Sequence, residues 1–363
     1  MAFLFPDGIQ GTAVWFWCLH SNRDTIRGGH LDEIYTAFHK DDVLRTGGIQ
    51  LMQDNARKLT YGAMMIALFA VLFAVSMYIP LLGSVSLFFI PLPILLYRLR
   101  YDRRASLLVA VAAILVSSLL GGVLSIPAAI SLVLVGFVMG ETIQLGQSKF
   151  YTVMAVSMAV LISMVVTYVG GVLFFEFNAI NVMMDTFQDA QQRLTKFLSD
   201  FGTLPKDYEK VISDTFVYYR STIPAMVILG SLLAGYLFVA ANFYTAGRVG
   251  AKIQKFPPFR EMKLPFMTIV VYALIILSSF LMGNDTTSTY YLFYINAVVI
   301  LRFAFLLQGL SVIYYFLNER KLPRFITIIT TIFAIMLNPI TIMLGTLDTA
   351  INIRAWIGKD KVN

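Results

Sequence analysis

The sequence predicts an all-α, polytopic membrane bundle: eight full spans, a broken C-terminal span or hairpin, and an external amphipathic helical hairpin. Three observations predict it. From Leu59 to about Thr346 one apolar run follows another, each near the roughly 17–25 residues that cross a bilayer at 1.5 Å rise. Hydrophobic residues make up 58% of the chain and charged residues 13%, far from the soluble average. Arginine and lysine gather in alternate gaps between the runs, the charge asymmetry that orients membrane helices.

The runs are 59–79, 81–97, 105–121, 123–144, 150–175, 221–246, 265–283 and 290–317, followed by a last apolar stretch at 325–346. Arg57 and Lys58 precede the first run. The second gap holds Arg98, Arg100, Arg103 and Arg104, and the fourth holds Lys149. Arg248, Lys252, Lys255, Arg260 and Lys263 fill the sixth, and Arg320, Lys321 and Arg324 the eighth. Segment 176–220 carries seven acidic against five basic residues. A multi-pass cell-membrane protein with a cytoplasmic N-terminus is therefore expected. The bilayer explains the +7 net charge, because the cations sit at helix ends, and no nucleic-acid partner is expected.

A full final crossing would leave Arg354, Lys359 and Lys361 outside, against that rule. Asn338-Pro339 resolves the conflict, since proline breaks a helix. It leaves 325–337 and 340–356 as limbs of a re-entrant or tilted hairpin, with the C-terminus cytoplasmic. Backbone broken at membrane depth is tolerated inside protein or beside a water-filled cavity.

Within 176–220, the residues Val182, Met183, Phe187, Ala190, Leu194, Phe197, Leu198 and Phe201 recur at helical steps. Gly202 to Pro205 interrupt the pattern, and Tyr208, Val211, Ile212 and Tyr219 begin a second limb. The hairpin either rests on the outer leaflet or covers an outward-facing cavity.

The first 51 residues stand apart. They hold the only cysteine, Cys18, and all three histidines, His20, His30 and His39, without sustained periodicity. They read as a non-native extension before a true start at Met52, or else as a small cytoplasmic cap. Removing them raises the net charge from +7 to +9. The chain then divides into a five-helix membrane half at 52–175, the external hairpin at 176–220 and a second membrane half at 221–363. One cysteine excludes an internal disulfide. With no histidine beyond residue 39, the spans hold no histidine-based metal site. No cofactor motif, nucleotide loop or catalytic motif is present, and the chain is not expected to be an enzyme.

Arg302 lies near the middle of the eighth run. A charge there costs at least ~2.5–3.5 kcal/mol on insertion scales, so it must face protein or water. Asn296 and Gln308 are polar residues of the same run, and Glu141 and Asp348 are candidate counter-ions. Two readings stand: a buried ion pair locking two helices, or an anchor for an anion. In the first run, Ala63, Ala67, Ala70 and Ala74 share one face, suited to close approach by another helix of this chain or by a separate subunit.

Two stretches carry a family resemblance. One is Leu59-Thr60-Tyr61-Gly62-Ala63-Met64-Met65-Ile66-Ala67-Leu68, with Pro91-Leu92-Pro93 and the basic loop after it. The other comprises Gln308-Gly309-Leu310-Ser311-Val312, Leu344-Gly345-Thr346-Leu347-Asp348 and Asn352-Ile353-Arg354. Together they resemble the YybS-type membrane proteins over about 52–357. The first half of that family is similar to the substrate-binding S-components of energy-coupling-factor transporters. That likeness implies docking of a shared transmembrane coupling subunit by an Ala-x-x-x-Ala face, which Ala63 to Ala67 and Ala70 to Ala74 match. This sequence departs from S-components in having more than six spans and a long outer hairpin. The expected function is a substrate-binding or permease-like subunit that needs a partner for energy. The alternatives are a non-transporting envelope scaffold and, last, a membrane enzyme acting on lipid-linked substrates.

Overall fold

A computed structural model describes residues 55–200, 202, 208–251, 258–280 and 288–355. The chain divides into two compact units, Met1–Tyr61 and Gly62–Asn363. Of the first, residues 55–61 are described, as helical turns in which Thr60 Oγ1 donates to the Ala56 carbonyl at 2.9 Å. The N-terminal extension and the expected start at Met52 lie outside the described residues.

The regular structure of the described residues is helical, and apolar runs become helices at the expected places. They are α1 (Asn55–Tyr78), α2 (Pro80–Leu87), α3 (Leu92–Arg100), α4 (Arg103–Gly121), α5 (Ile126–Gln144) and α6 (Lys149–Phe175). Then follow α7 (Ala179–Asp200), α8 (Tyr208–Arg248), α9 (Met267–Ser279), α10 (Thr289–Glu319), α11 (Arg324–Met336) and α12 (Asn338–Ile351). Among the described residues, seven helical spans are long and apolar enough to cross a membrane, and α11 with α12 forms a further, bent pair. The predicted run 265–283 is helical over α9, and 281–287 lie outside the described residues.

Helix ends follow local chemistry. Asp102, Ser148 and Ser288 each accept a backbone N–H of the first turn, from Ala105, Tyr151 and Tyr291, filling donors that a helix start leaves open. Pro80, Pro127 and Pro339 occupy first turns, where the missing N–H costs nothing. The second span is interrupted at Phe88–Pro91 between α2 and α3. There the fully buried Asn242 of α8 donates to the Phe88 carbonyl at 2.8 Å, so a side chain replaces part of the lost ladder.

In the second unit, α3 packs on α5, α4 on α5, α5 on α6, α6 on α8, α8 on α10, and α10 on α9 and α12. Glycine permits two of these contacts. A Cβ on Gly136 would meet the Pro91 carbonyl across α3–α5, and one on Gly309 would overlap the Thr341 carbonyl across α10–α12.

Helix runs without interruption across the expected boundary at 220/221. The second limb of the hairpin and the sixth predicted span form one 41-residue helix, α8, despite an internal Pro224. At 1.5 Å per residue it is about 60 Å long, twice a ~30 Å hydrocarbon core. Phe187 of α7 packs against Phe216 and Tyr219 of α8 at centroid distances of 6.3 and 5.5 Å. The last apolar stretch breaks where expected, with α11 and α12 meeting at 100° around Leu337.

Candidate functional site

Pro224 has no N–H, and a ladder bond is missing around it. The bond lost is that to the Arg220 carbonyl; one residue further on, Asn296 of α10 braces the helix from its neighbour. Its Oδ1 accepts the Ala225 N–H at 2.7 Å, and its Nδ2 donates to the Ser221 carbonyl at 2.7 Å. One amide thus engages both members of the i, i−4 backbone pair beside the proline. Asn296, a candidate ligand residue by sequence, is a splint for α8.

Beside this splint lies a half-open cavity of about 560 Å³. Arg302, Val299, Phe303 and Leu306 of α10 form one wall. Tyr218 and Leu229 of α8 and Tyr272 of α9 form others. The break between α11 and α12 supplies Asn338, Pro339 and Ile342. Two features that the sequence marks separately, the mid-span arginine and the proline break, therefore share one space. Arg302 is exposed to it, with the tyrosines Tyr218 and Tyr272 in the same lining. The first turn of α12 also reaches the cavity, and no side chain caps that helix. A helix N-terminus carries partial positive charge, of the same sign as the guanidinium.

Neither expected counter-ion pairs with Arg302. Glu141 accepts from Arg98 at 2.6 and 2.9 Å and also pairs with Arg103. Arg98 is buried, donates further to the Tyr101 carbonyl at 3.0 Å and to Gln144, and receives Gln144 Nε2 on its own carbonyl at 2.7 Å. This cluster locks the ends of α3 and α5. Asp348 accepts instead from Arg354 Nε at 3.1 Å and from Gln308 Nε2 at 2.6 Å.

Asp348 belongs to a buried network at the far end of α10. Arg354 also donates to the Arg260 carbonyl at 2.7 Å and to Ser311 Oγ at 3.2 Å. Ser311 donates to the Phe259 carbonyl at 2.7 Å, and Gln308 Oε1 accepts the Leu264 N–H at 3.1 Å. The side chains of Arg354 and Asp348 are 4% and 1% exposed, so this is a desolvated pair whose other polar atoms are also engaged. It ties segment 259–264 to α10 and α12, and it returns α12 to the end of α10 where Arg260 lies. The stretches that carry the resemblance, 308–312, 344–348 and 352–354, meet in this network and in the Gly309–Gly345 contact, where a Cβ on Gly345 would overlap the Phe305 carbonyl.

The small-residue face of α1 is separate from its packed face. Gly62, Met65, Phe69 and Phe73 are buried, whereas Ala63 and Ala67 are exposed and Ala70 and Ala74 half-buried. Among the described residues, no three histidine, cysteine or acidic side chains converge as a metal site.

Comparison with known proteins agrees with this membrane architecture. The family profile described as "Predicted membrane protein (DUF2232)" matches residues 67–349. The chain belongs to the DUF2232 family. It is similar to the "Uncharacterized protein YybS" of Bacillus subtilis (strain 168), at 24% identity over 307 residues, covering 83% of this chain and 98% of the relative. No solved structure matches. Within the DUF2232 match lie Arg302, its cavity, Asn296, Gln308 and Asp348, while Arg354 falls just beyond it. The resemblance read from the motifs is thereby shown, and the protein is a multi-pass helical membrane protein.

Sequence reading missed Pro224, Tyr218, Tyr272 and Arg354 as parts of these sites. Pro224 gave a usable signal: a proline inside an apolar run demands an external partner for the freed backbone groups. The tyrosines gave none: Tyr218 borders a run and reads as an interfacial anchor, and Tyr272 is a single hydroxyl inside one.

Proposed function

We propose that this DUF2232 protein is the substrate-binding, permease-like subunit of a membrane transporter, and that its ligand is an anion with an apolar body. The observation that carries the reading is the shared cavity of Arg302 and the α11–α12 break. Its volume lies within the 300–1,000 Å³ typical of small-molecule sites, and apolar walls with a few convergent polar groups are the usual makeup of such sites. Broken helices whose N-termini face an anionic group recur at transporter binding sites. An arginine kept at mid-span, with its nearest expected acids engaged elsewhere, supplies the attraction for a carboxylate or similar group. A scaffold would need no such space.

The chain has no nucleotide loop, so a partner would supply energy. The exposed Ala63 and Ala67 give the partner a place where a helix backbone can approach closely.

A matched pair of fluorescent probes tests the reading in detergent-purified protein. Pyrenebutyrate should bind, and its neutral counterpart pyrenebutanol should bind at least roughly tenfold more weakly, as loss of one well-placed charge contact of about 1.4 kcal/mol requires. Equal affinity for the two would exclude anion recognition at this cavity.

A further inference from the structure

Another cavity among the described residues, about 250 Å³, lies beside the Arg354 network, at the opposite end of α10 from its Thr289 start. Arg260, Lys263 and Arg354 line it, together with Tyr315 and Asn352, against one carboxylate, Glu261. Arg354 is compensated from below by Asp348. The other two cations have neutral partners among the described residues: Arg260 donates to Asn318 Oδ1 at 2.7 Å, and Lys263 to Asn352 Oδ1 at 3.1 Å. A guanidinium and an ammonium therefore stand over one concavity with excess positive charge. Their floor is fixed, because Arg354 is held by Asp348, Ser311 and the Arg260 carbonyl.

We infer that this cavity binds a phosphate group. Arginine offers a planar fork that matches phosphate oxygens, and lysine adds a compact charge. Tyr315, two residues before the end of the apolar run 290–317, sets the cavity near headgroup level, where basic clefts between helices take up anionic lipids. The site is distinct from the Arg302 cavity: the two share no lining residue. It needs no transport activity to exist.

Native mass spectrometry of the full chain, released from mild detergent, tests the inference with two probes: dioleoylphosphatidylglycerol and inorganic phosphate. Each cation near a membrane surface contributes about 1 kcal/mol to anion attraction, so R260Q/K263Q should weaken the lipid adduct at least roughly tenfold. The charge-conserving R260K/K263R should retain it. An adduct with the lipid that millimolar phosphate does not displace identifies a headgroup site; displacement identifies a site for free phosphate. Both support phosphate recognition. Should R260Q/K263Q misfold, the single variants K263Q and R260Q supply the same comparison. Undiminished lipid and phosphate binding by the charge-neutral variants, or no adduct with either probe in the unmodified protein, overturns the inference.

Discussion

At the residue scale, charge in this bundle is either fully engaged or left facing space. Asp348 and Arg354 are the engaged case, buried and joined to Gln308, Ser311 and the Arg260 carbonyl. Removing one partner strands the other, at a cost of about 3–5 kcal/mol. Asp348→Asn should therefore lower the midpoint of thermal unfolding in detergent, and Arg354→Met added to it should recover part of the loss. A double variant as unstable as the sum of its parts would show that the two residues act independently. Asp348 was legible in the sequence as a partner in an ion pair, but its mate was not. Arg354 lies past the apolar run and resembles a flanking charge; only the return of α12 toward Arg260 brings it inside.

At the scale of elements, proline and asparagine act together. Pro224 leaves α8 continuous because Asn296 bonds both the Ala225 N–H and the Ser221 carbonyl. Asn296→Leu should cost about 1–3 kcal/mol, the penalty for buried groups left unbonded. Pro224→Ala in that background should restore much of the stability, because the helix can then close its own ladder. No recovery would mean that Asn296 acts through packing alone. The spans and the break at Leu337 were legible because apolar length and proline are local signals. The splint was not, since the pairing of residue 296 with residue 224 is a tertiary fact. On α1 the sequence left two readings of the alanine face. The exposure of Ala63 and Ala67 sets them off the packed face of α1. Ala67→Trp should remove a co-purifying subunit while the protein stays inserted and folded; loss of fold would indicate internal packing instead.

At the scale of the whole molecule, α8 joins hairpin and bundle, and the cavity at the α11–α12 break joins the two features most unusual for a membrane span. The topology is tested by cysteines added to a Cys18→Ser background. A cysteine at Ser199 should react with an impermeant thiol reagent in intact cells, and one at Gln147 should not; the reverse pattern would invert the orientation. The central claim is that Arg302 serves a ligand and not the fold. Its most direct test is Arg302→Met beside Asp348→Asn, with unfolding and pyrenebutyrate binding measured on the same preparations. The account predicts that Arg302→Met keeps its unfolding midpoint within a few degrees, as a change of under about 1 kcal/mol does, and loses the probe. An Arg302→Met protein that unfolds as readily as Asp348→Asn, or that binds pyrenebutyrate undiminished, would contradict it.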